Sequence, residues 1–110
     1  DQIGGHLVSG HVDGLAVLQS KKNIKGSVSF DFKVSKNIQV YIIKKGSVSI
    51  DGVSLTINEV NKSLFNVNVI SHTWKNTTLG QLKVHDIVNI EVDTIARYSV
   101  NAIKYYIQEK

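Results

Sequence analysis

A chain of 110 residues has the length of one domain with a single core. It has no cysteine, which excludes disulfides and cysteine-ligated metal sites, and no apolar run approaches the roughly 18 residues needed to span a bilayer. The net charge of +4 invites a nucleic-acid reading, but the basic residues are scattered. Lys21, Lys22 and Lys25 form one cluster and Lys44-Lys45 another, Arg97 is the single arginine, and no aromatic residue is interleaved with these clusters as in single-strand binders.

The chain contains no methionine and opens on Asp1, so it is expected to be a piece of a longer product. Its start lacks a signal-peptide pattern, and a cytoplasmic location is the default expectation. Residues 4 to 14, Gly-Gly-His-Leu-Val-Ser-Gly-His-Val-Asp-Gly, place four glycines and two histidines in eleven positions. His6 and His11 fall on opposite faces of an unbroken strand, which argues against a shared metal. Each histidine can be read as a hydrogen-bonded structural residue or, because imidazole titrates near neutrality, as a proton-transfer group.

Val12 to Gln19 reads as a strand, followed by a solvated turn over Lys21 to Lys25. Val28, Phe30, Phe32 and Val34 alternate with polar residues, the clearest half-buried strand in the chain. Ser35 is placed to cap a short connecting helix in which Ile38, Ile42 and Ile43 recur at helical spacing. The stretch Ser47-Val48-Ser49-Ile50-Asp51-Gly52-Val53-Ser54-Leu55-Thr56-Ile57-Asn58 alternates on both sides of an Asp-Gly pair and predicts a tight hairpin. Past the turn, Ser54, Thr56 and Asn58 share one face, and Val53, Leu55 and Ile57 the other. That row of hydroxyls is first of all the ordinary pattern of a solvent-facing strand; the lining of a polar ligand site is the alternative.

Leu64 to Ile70 is another alternating strand, reached through a turn at Asn61-Lys62-Ser63. The polar segment 71 to 80 reads as a loop or one helical turn closing at Gly80, and Val84 to Val92 as the last strand. Asp93-Thr94 opens a helix to the carboxyl end. Its apolar residues Ile95, Ala96, Tyr98, Val100, Ala102, Ile103, Tyr105, Tyr106 and Ile107 cover more than half the surface, leaving Arg97, Asn101, Lys104 and Gln108 as a polar stripe. Such a helix is expected to pack on its own domain and on a second subunit or a missing domain. The sum is an all-β domain, a six-stranded antiparallel Greek-key barrel over residues 1 to 92, with a short connecting helix and a carboxyl-terminal oligomerisation helix over 93 to 110.

Three motifs carry a family resemblance. The glycine-rich run at 4 to 14, Lys-Gly-Ser-Val-Ser-Ile-Asp-Gly-Val-Ser-Leu-Thr-Ile-Asn at 45 to 58, and Thr-Thr-Leu-Gly at 77 to 80 followed by Asp-Ile-Val-Asn-Ile-Glu-Val-Asp at 86 to 93 resemble riboflavin synthase of the alpha-chain type. The resemblance is to the carboxyl-terminal half of a subunit built from two similar barrels. It implies a dismutation in which two molecules of 6,7-dimethyl-8-ribityllumazine exchange a four-carbon unit, giving riboflavin and 5-amino-6-ribitylaminouracil without cofactor or metal. It also implies a composite site between the amino-terminal barrel of one subunit and the carboxyl-terminal barrel of its neighbour in a homotrimer.

By resemblance, Ser54 and Thr56 match ligand contacts, and Gly52, Ile70 and Thr73 match positions lining the same pocket, with backbone groups expected to bond the pyrimidine edge. Lys45 and Asp51 match further pocket or polar positions. His11, Asp93 and Ser54 form the expected catalytic set: His11 in proton transfer or orientation, and Asp93 matching an aspartate linked to activity while also placed to cap the last helix; His6 is read as either a structural or a functional residue. Ser71 and Trp74 depart from the family, which more usually shows proline and leucine there. The implied partners are the lumazine, riboflavin and the missing amino-terminal barrel, with no nucleic acid and no membrane. A lumazine or flavin carrier of the same fold, which needs only one competent pocket, is the alternative.

Overall fold

The computed structural model describes residues 12–109, so His6, His11 and most of the glycine-rich motif lie outside the described residues. In chain order the elements are β1 (Gly14–Ile24), β2 (Ser27–Val34), α1 (Lys36–Gln39), β3 (Ser47–Ile50), β4 (Val53–Thr56), β5 (Glu59–Asn61), β6 (Leu64–Ile70), α2 (Ser71–Lys75), a 3-10 turn (Thr78–Gln81), β7 (Ile87–Val92) and α3 (Thr94–Glu109). The strands form one antiparallel sheet in the order β4-β3-β7-β1-β2-β6-β5. The alternation read in β2 places Val28, Phe30, Phe32 and Val34 inward, where they are buried. Phe32 lies between Phe30 and Phe65, with ring centroids 6.0 and 5.5 Å away. Each such side chain contributes about 1.5–3 kcal/mol on burial, and the β1, β2 and β6 core layer rests on these rings.

The all-β antiparallel reading holds, but the strand count is seven and the ladder does not close among the described residues. The additional strand arises where the expected 53 to 58 strand changes partner. The N–H of Ile57 donates to the Gly46 carbonyl at 2.8 Å, on the β3 side, and the next N–H, of Asn58, donates to Asn66 on β6 at 2.8 Å. One stretch of chain thus ends as β4 and resumes as β5, so the two edge strands are successive segments.

Other expectations shift. Strand β1 runs on through Lys21 and Lys22 to Ile24, because β2 offers a full ladder opposite; the turn contracts to Lys25-Gly26, with Gly26 at φ +81°. The connecting helix is a single turn, with Ile38 and Ile42 buried and Ile43 exposed. Ser35 precedes it in extended conformation but makes no cap bond to its backbone; its hydroxyl instead meets Asn37 Oδ1 at 2.6 Å. The last strand starts at Ile87, since Val84-His85 is a turn with His85 at φ 84°. Gly80 does not end a helix. It sits in the 3-10 turn, where an added Cβ would fall 2.4 Å from the Trp74 carbonyl oxygen.

Helix α3 attaches through its polar stripe. Arg97 pairs with Asp13, whose other carboxylate oxygen accepts the Val92 N–H at 2.7 Å. The Tyr41 hydroxyl donates to Asn101 Oδ1 at 2.9 Å, and Arg97 and Lys104 lie 5.3 and 5.7 Å from the Tyr41 ring. The broad apolar face therefore points away from the domain: Ile95 is 74% exposed and Tyr98 77%. The expectation that this face packs on its own domain is corrected, because the charged stripe finds a buried carboxylate and an aromatic face there.

Asp13→Ala removes a carboxylate only 5% exposed that ties β7 to α3, and should lower unfolding free energy by about 2 kcal/mol in urea titration. Gly80→Ala forces the chain away from Trp74 and should cost about 1–3 kcal/mol, read the same way.

Candidate functional site

The predicted hairpin forms as read. Asp51 and Gly52 have φ of 47° and 85°, the two positive values that a type I′ turn needs. The register Ser47↔Thr56 and Ser49↔Ser54 brings four hydroxyls onto one face, while Val48 and Ile50 are buried on the other. These are pairs flanked by, rather than joined by, ladder hydrogen bonds, the arrangement in which facing side chains come closest. The hairpin tip is held to β7: Asp51 Oδ1 accepts the Asn89 N–H at 2.8 Å, and the Asp51 N–H donates to the Asn89 carbonyl at 2.9 Å.

Past Asn66, β6 loses its β5 partner, and β4 lies across a seam from it without a ladder. Backbone direction alternates along a strand, so the parity of one bond sets the rest. The Asn66 carbonyl faces the β5 side by accepting from Asn58, and the Ser71 N–H faces the opposite side by donating to Gly26 at 3.1 Å. Asn68 therefore turns its N–H and C=O into the seam and Ile70 its N–H, the Ile70 carbonyl being taken up by the first turn of α2. By the same parity from Ile57 and Asn58, the N–H and C=O groups of Ser54 and Thr56 face the seam. These four residues line two free edges that face each other.

The seam holds an open cleft of about 320 Å³ lined by Ser47, Ser54, Leu55, Thr56, Asn68, Val69, Ile70 and Thr73. Ile70 is 61% exposed there, an apolar surface among hydroxyls. Helix α2 carries Thr73 to the cleft and Trp74 against the core. The Lys21 ammonium stands 5.4 Å from the Trp74 ring and donates to the Leu82 carbonyl at 3.0 Å, fixing α2 from behind. The Ser71 N–H, which a proline there would abolish, donates to the Gly26 carbonyl and ties the start of α2 to the β1–β2 turn.

Four expected pocket residues, Ser54, Thr56, Ile70 and Thr73, are thus brought together. Gly52 and Asp51 are not: they line a separate hollow of about 290 Å³ with Val12, Thr78, Asn89 and Glu91. Asp93 borders a third, of about 180 Å³, which shares Ser47 with the cleft. It caps α3, its Oδ1 accepting the Ile95 N–H at 3.0 Å. Lys45 is exposed and is not among the residues lining the cleft; at φ 75° its N–H donates to the Ile57 carbonyl at 2.9 Å. His11 lies outside the described residues. A hollow of about 450 Å³ beside Lys33, Lys36 and Lys62 exceeds the cleft in size, but size does not distinguish the seam. Two unpaired strand edges do.

Sequence reasoning missed Ser47 and Asn68. Both carried a period-two signal, Ser47 with Ser49 and Asn68 with Ile70, but the identity of the strand facing each was not in that signal.

An antiparallel sheet whose edge strands are separated by a slot lined with free backbone groups, hydroxyls and apolar side chains defines an all-β domain with a polar cleft at its seam. Residues 9–93 match the family described as the lumazine binding domain, and the chain belongs to that family. It is 44% identical over 105 residues to riboflavin synthase of Brucella abortus, covering 96% of this chain and 52% of that protein. It is 41% identical over 97 residues to riboflavin synthase of Actinobacillus pleuropneumoniae, covering 88% and 45%. The chain thus spans about half the length of these curated relatives. The fold is similar to LumP solved with 6,7-dimethyl-8-(1'-D-ribityl) lumazine, with a TM-score of 0.77, 22% identity, and coverage of 86% of this chain and 53% of that one.

Free edges exchange their amide hydrogens. The N–H groups of Asn68 and Ile70 should exchange at least tenfold faster than those of Val67 and Val69, which face β2, in hydrogen-exchange NMR.

Proposed function

We propose that this chain is the carboxyl-terminal lumazine-binding part of a riboflavin synthase, in which two molecules of 6,7-dimethyl-8-ribityllumazine exchange a four-carbon unit. The observation that carries the reading is the seam: Ser54, Thr56, Ile70 and Thr73 meet at two free strand edges in a slot. A lumazine has a flat heterocycle with a polar pyrimidine edge and a polyol tail. The free backbone N–H of Ile70 and the open edge of Asn68 beside it suit the planar edge, the Ile70 side chain suits the ring face, and hydroxyls suit the polyol.

The chemistry needs two rings held in fixed orientation, with a proton removed from an acidic ring methyl. Positioning supplies much of the rate, and this chain's part is to hold one ring. In this reading Ser54 contacts the ligand near the reacting centre, His11 moves or orients a proton, and Asp93, fixed in direction by capping α3, acts at the edge of the same hydroxyl face. Gly52 and Lys45 approach the ligand only in the complete site, since they stand apart from the cleft here. No cofactor or metal is assigned a part.

Residues 1 to 92 form the six-stranded Greek-key barrel of the family, with β4 and β5 counted as one strand, and the bound ligand fills the gap in its seam. Residues 93 to 110 form the oligomerisation helix, whose outward apolar face is the contact in a homotrimer. The other ring belongs to the amino-terminal barrel, so the separate chain binds ligand and turns it over poorly. The protein works in the cytoplasm. No helix among the described residues is long and apolar enough to cross a membrane.

Fluorescence titration of the chain with riboflavin and with the lumazine tests this. Saturable binding near one ligand per chain is expected, with Ser54→Ala and Thr56→Ala each weakening it about five- to tenfold. A folded chain that binds neither ligand overturns the reading. Turnover on adding the amino-terminal barrel supports the enzyme; undiminished binding with no turnover favours a carrier.

A further inference from the structure

The β2·β6 ladder runs from Ser27↔Ile70, beside the cleft, to Lys33↔Leu64, a span of about 20 Å. At the far end three separate segments meet: the end of β2, the start of α1 and the β5–β6 turn. The Val34 N–H joins two of them by donating to the Ser63 carbonyl at 2.9 Å. Each segment brings a lysine. Lys33, Lys36 and Lys62 line the hollow of about 450 Å³ at this end, together with Ser35, Gln39 and Ser63.

No carboxylate among the described residues lines that hollow. The acidic side chains on the same strands are engaged elsewhere: Asp31 accepts from Ser20 and from Asn66, each at 2.7 Å, and Glu59 pairs with Lys44 at 3.3 Å. None of the three lysines therefore has an ion-pair partner among the described residues. Cations gathered on one concave surface without a counter-charge repel one another, and an anion seated among them relieves that repulsion. Lys62 holds φ 57°, in the left-handed region that asparagine and glycine enter more readily. The turn would form more easily with either, yet it carries an ammonium group to the hollow.

The donor set selects the kind of anion. Arginine matches a planar carboxylate with its rigid fork, whereas lysine acts as a point charge. Three point charges from three segments, with the Ser63 hydroxyl and the Gln39 amide as neutral donors, suit an anion that spreads its charge over several oxygens, as a phosphate does. The hollow is larger than inorganic phosphate needs and leaves room for an organic group. No aromatic side chain lines it, so nothing there stacks on the bases of a nucleic acid.

We propose that this hollow is a second binding site, for a small molecule that carries a phosphate or diphosphate group. It is separate from the cleft and independent of the ligand that the cleft takes.

The test titrates the chain with pyrophosphate, read by amide NMR shifts and by thermal melting. Saturable shifts are expected at Lys33, Lys36, Lys62 and Ser63, with Asn68 and Thr73 in the cleft unmoved, and the melting temperature should rise with pyrophosphate. Lys62→Asn removes the charge and suits the left-handed turn, so it should melt no lower than wild type while binding pyrophosphate about tenfold more weakly. Lys36→Gln should weaken binding about fivefold. Lys25→Gln removes the same charge in the turn at the opposite end of β2, and should leave the affinity within about twofold of wild type. Absence of saturation, an equal loss with Lys25→Gln, or equal affinity for succinate at the same ionic strength overturns the inference, since each shows only the general attraction of a basic chain for anions. Riboflavin binding to Lys62→Asn should match wild type; a loss there overturns the separation of the two sites.

Discussion

A strand has two edges, and each backbone N–H and C=O on them needs a partner or water. In this domain the sheet parts internally where residues 53 to 61 change allegiance from β3 to β6 within two residues. The change of partner opens a wedge between β4 and the last turn of β6. Much of the remaining structure keeps that wedge in shape. The hairpin tip is fixed to β7 through Asp51 and Asn89, and α2 is braced by Lys21, Trp74 and the Gly80 contact.

The polar side chains divide between holding the sheet and facing outward. Ser20, Asp31, Asn66, Ser29 and Asn58 form a connected network over β1, β2, β6 and the entry to β5, so the sheet is tied most tightly just below the point where it parts. Above that point the same outer face carries Asn68, Ile70, Thr56 and Ser54, whose side chains make no bonds to one another. A rigid floor under an unpaired slot is the arrangement that holds a ligand with little ordering of the protein on binding.

Helix α3 follows the same division. Its cationic and amide groups meet Asp13 and Tyr41, and its aliphatic and aromatic residues face outward. Asp13, at the end of the glycine-rich motif, is the least conspicuous residue in that motif by sequence. It is nevertheless the one whose carboxylate joins β7 and α3, because only the fold brings positions 13, 92 and 97 together.

Period-two alternation in β2 and β6 and the Asp-Gly pair at the hairpin were legible because strand geometry and left-handed turn conformations are local properties. The capping of α3 by Asp93 was legible for the same reason. What was not legible depended on neighbours. The run of β1 through its lysines needed the β2 ladder, the tight approach of Gly80 to Trp74 needed α2, and the split of one strand into β4 and β5 needed two partners on opposite sides. The motif residues 51, 52, 54, 56 and 93 were read as one constellation, whereas the structure distributes them over three hollows. The sequence by itself determined the all-β class, the Asp51-Gly52 turn, the Asp93 cap and which residues share a face, since each follows from local geometry and the chain's own period. Only the tertiary structure decided which faces meet and which edges stay open, and so made Asn68 and Ser47 part of the cleft, because pairing between distant strands is a property of the assembled sheet.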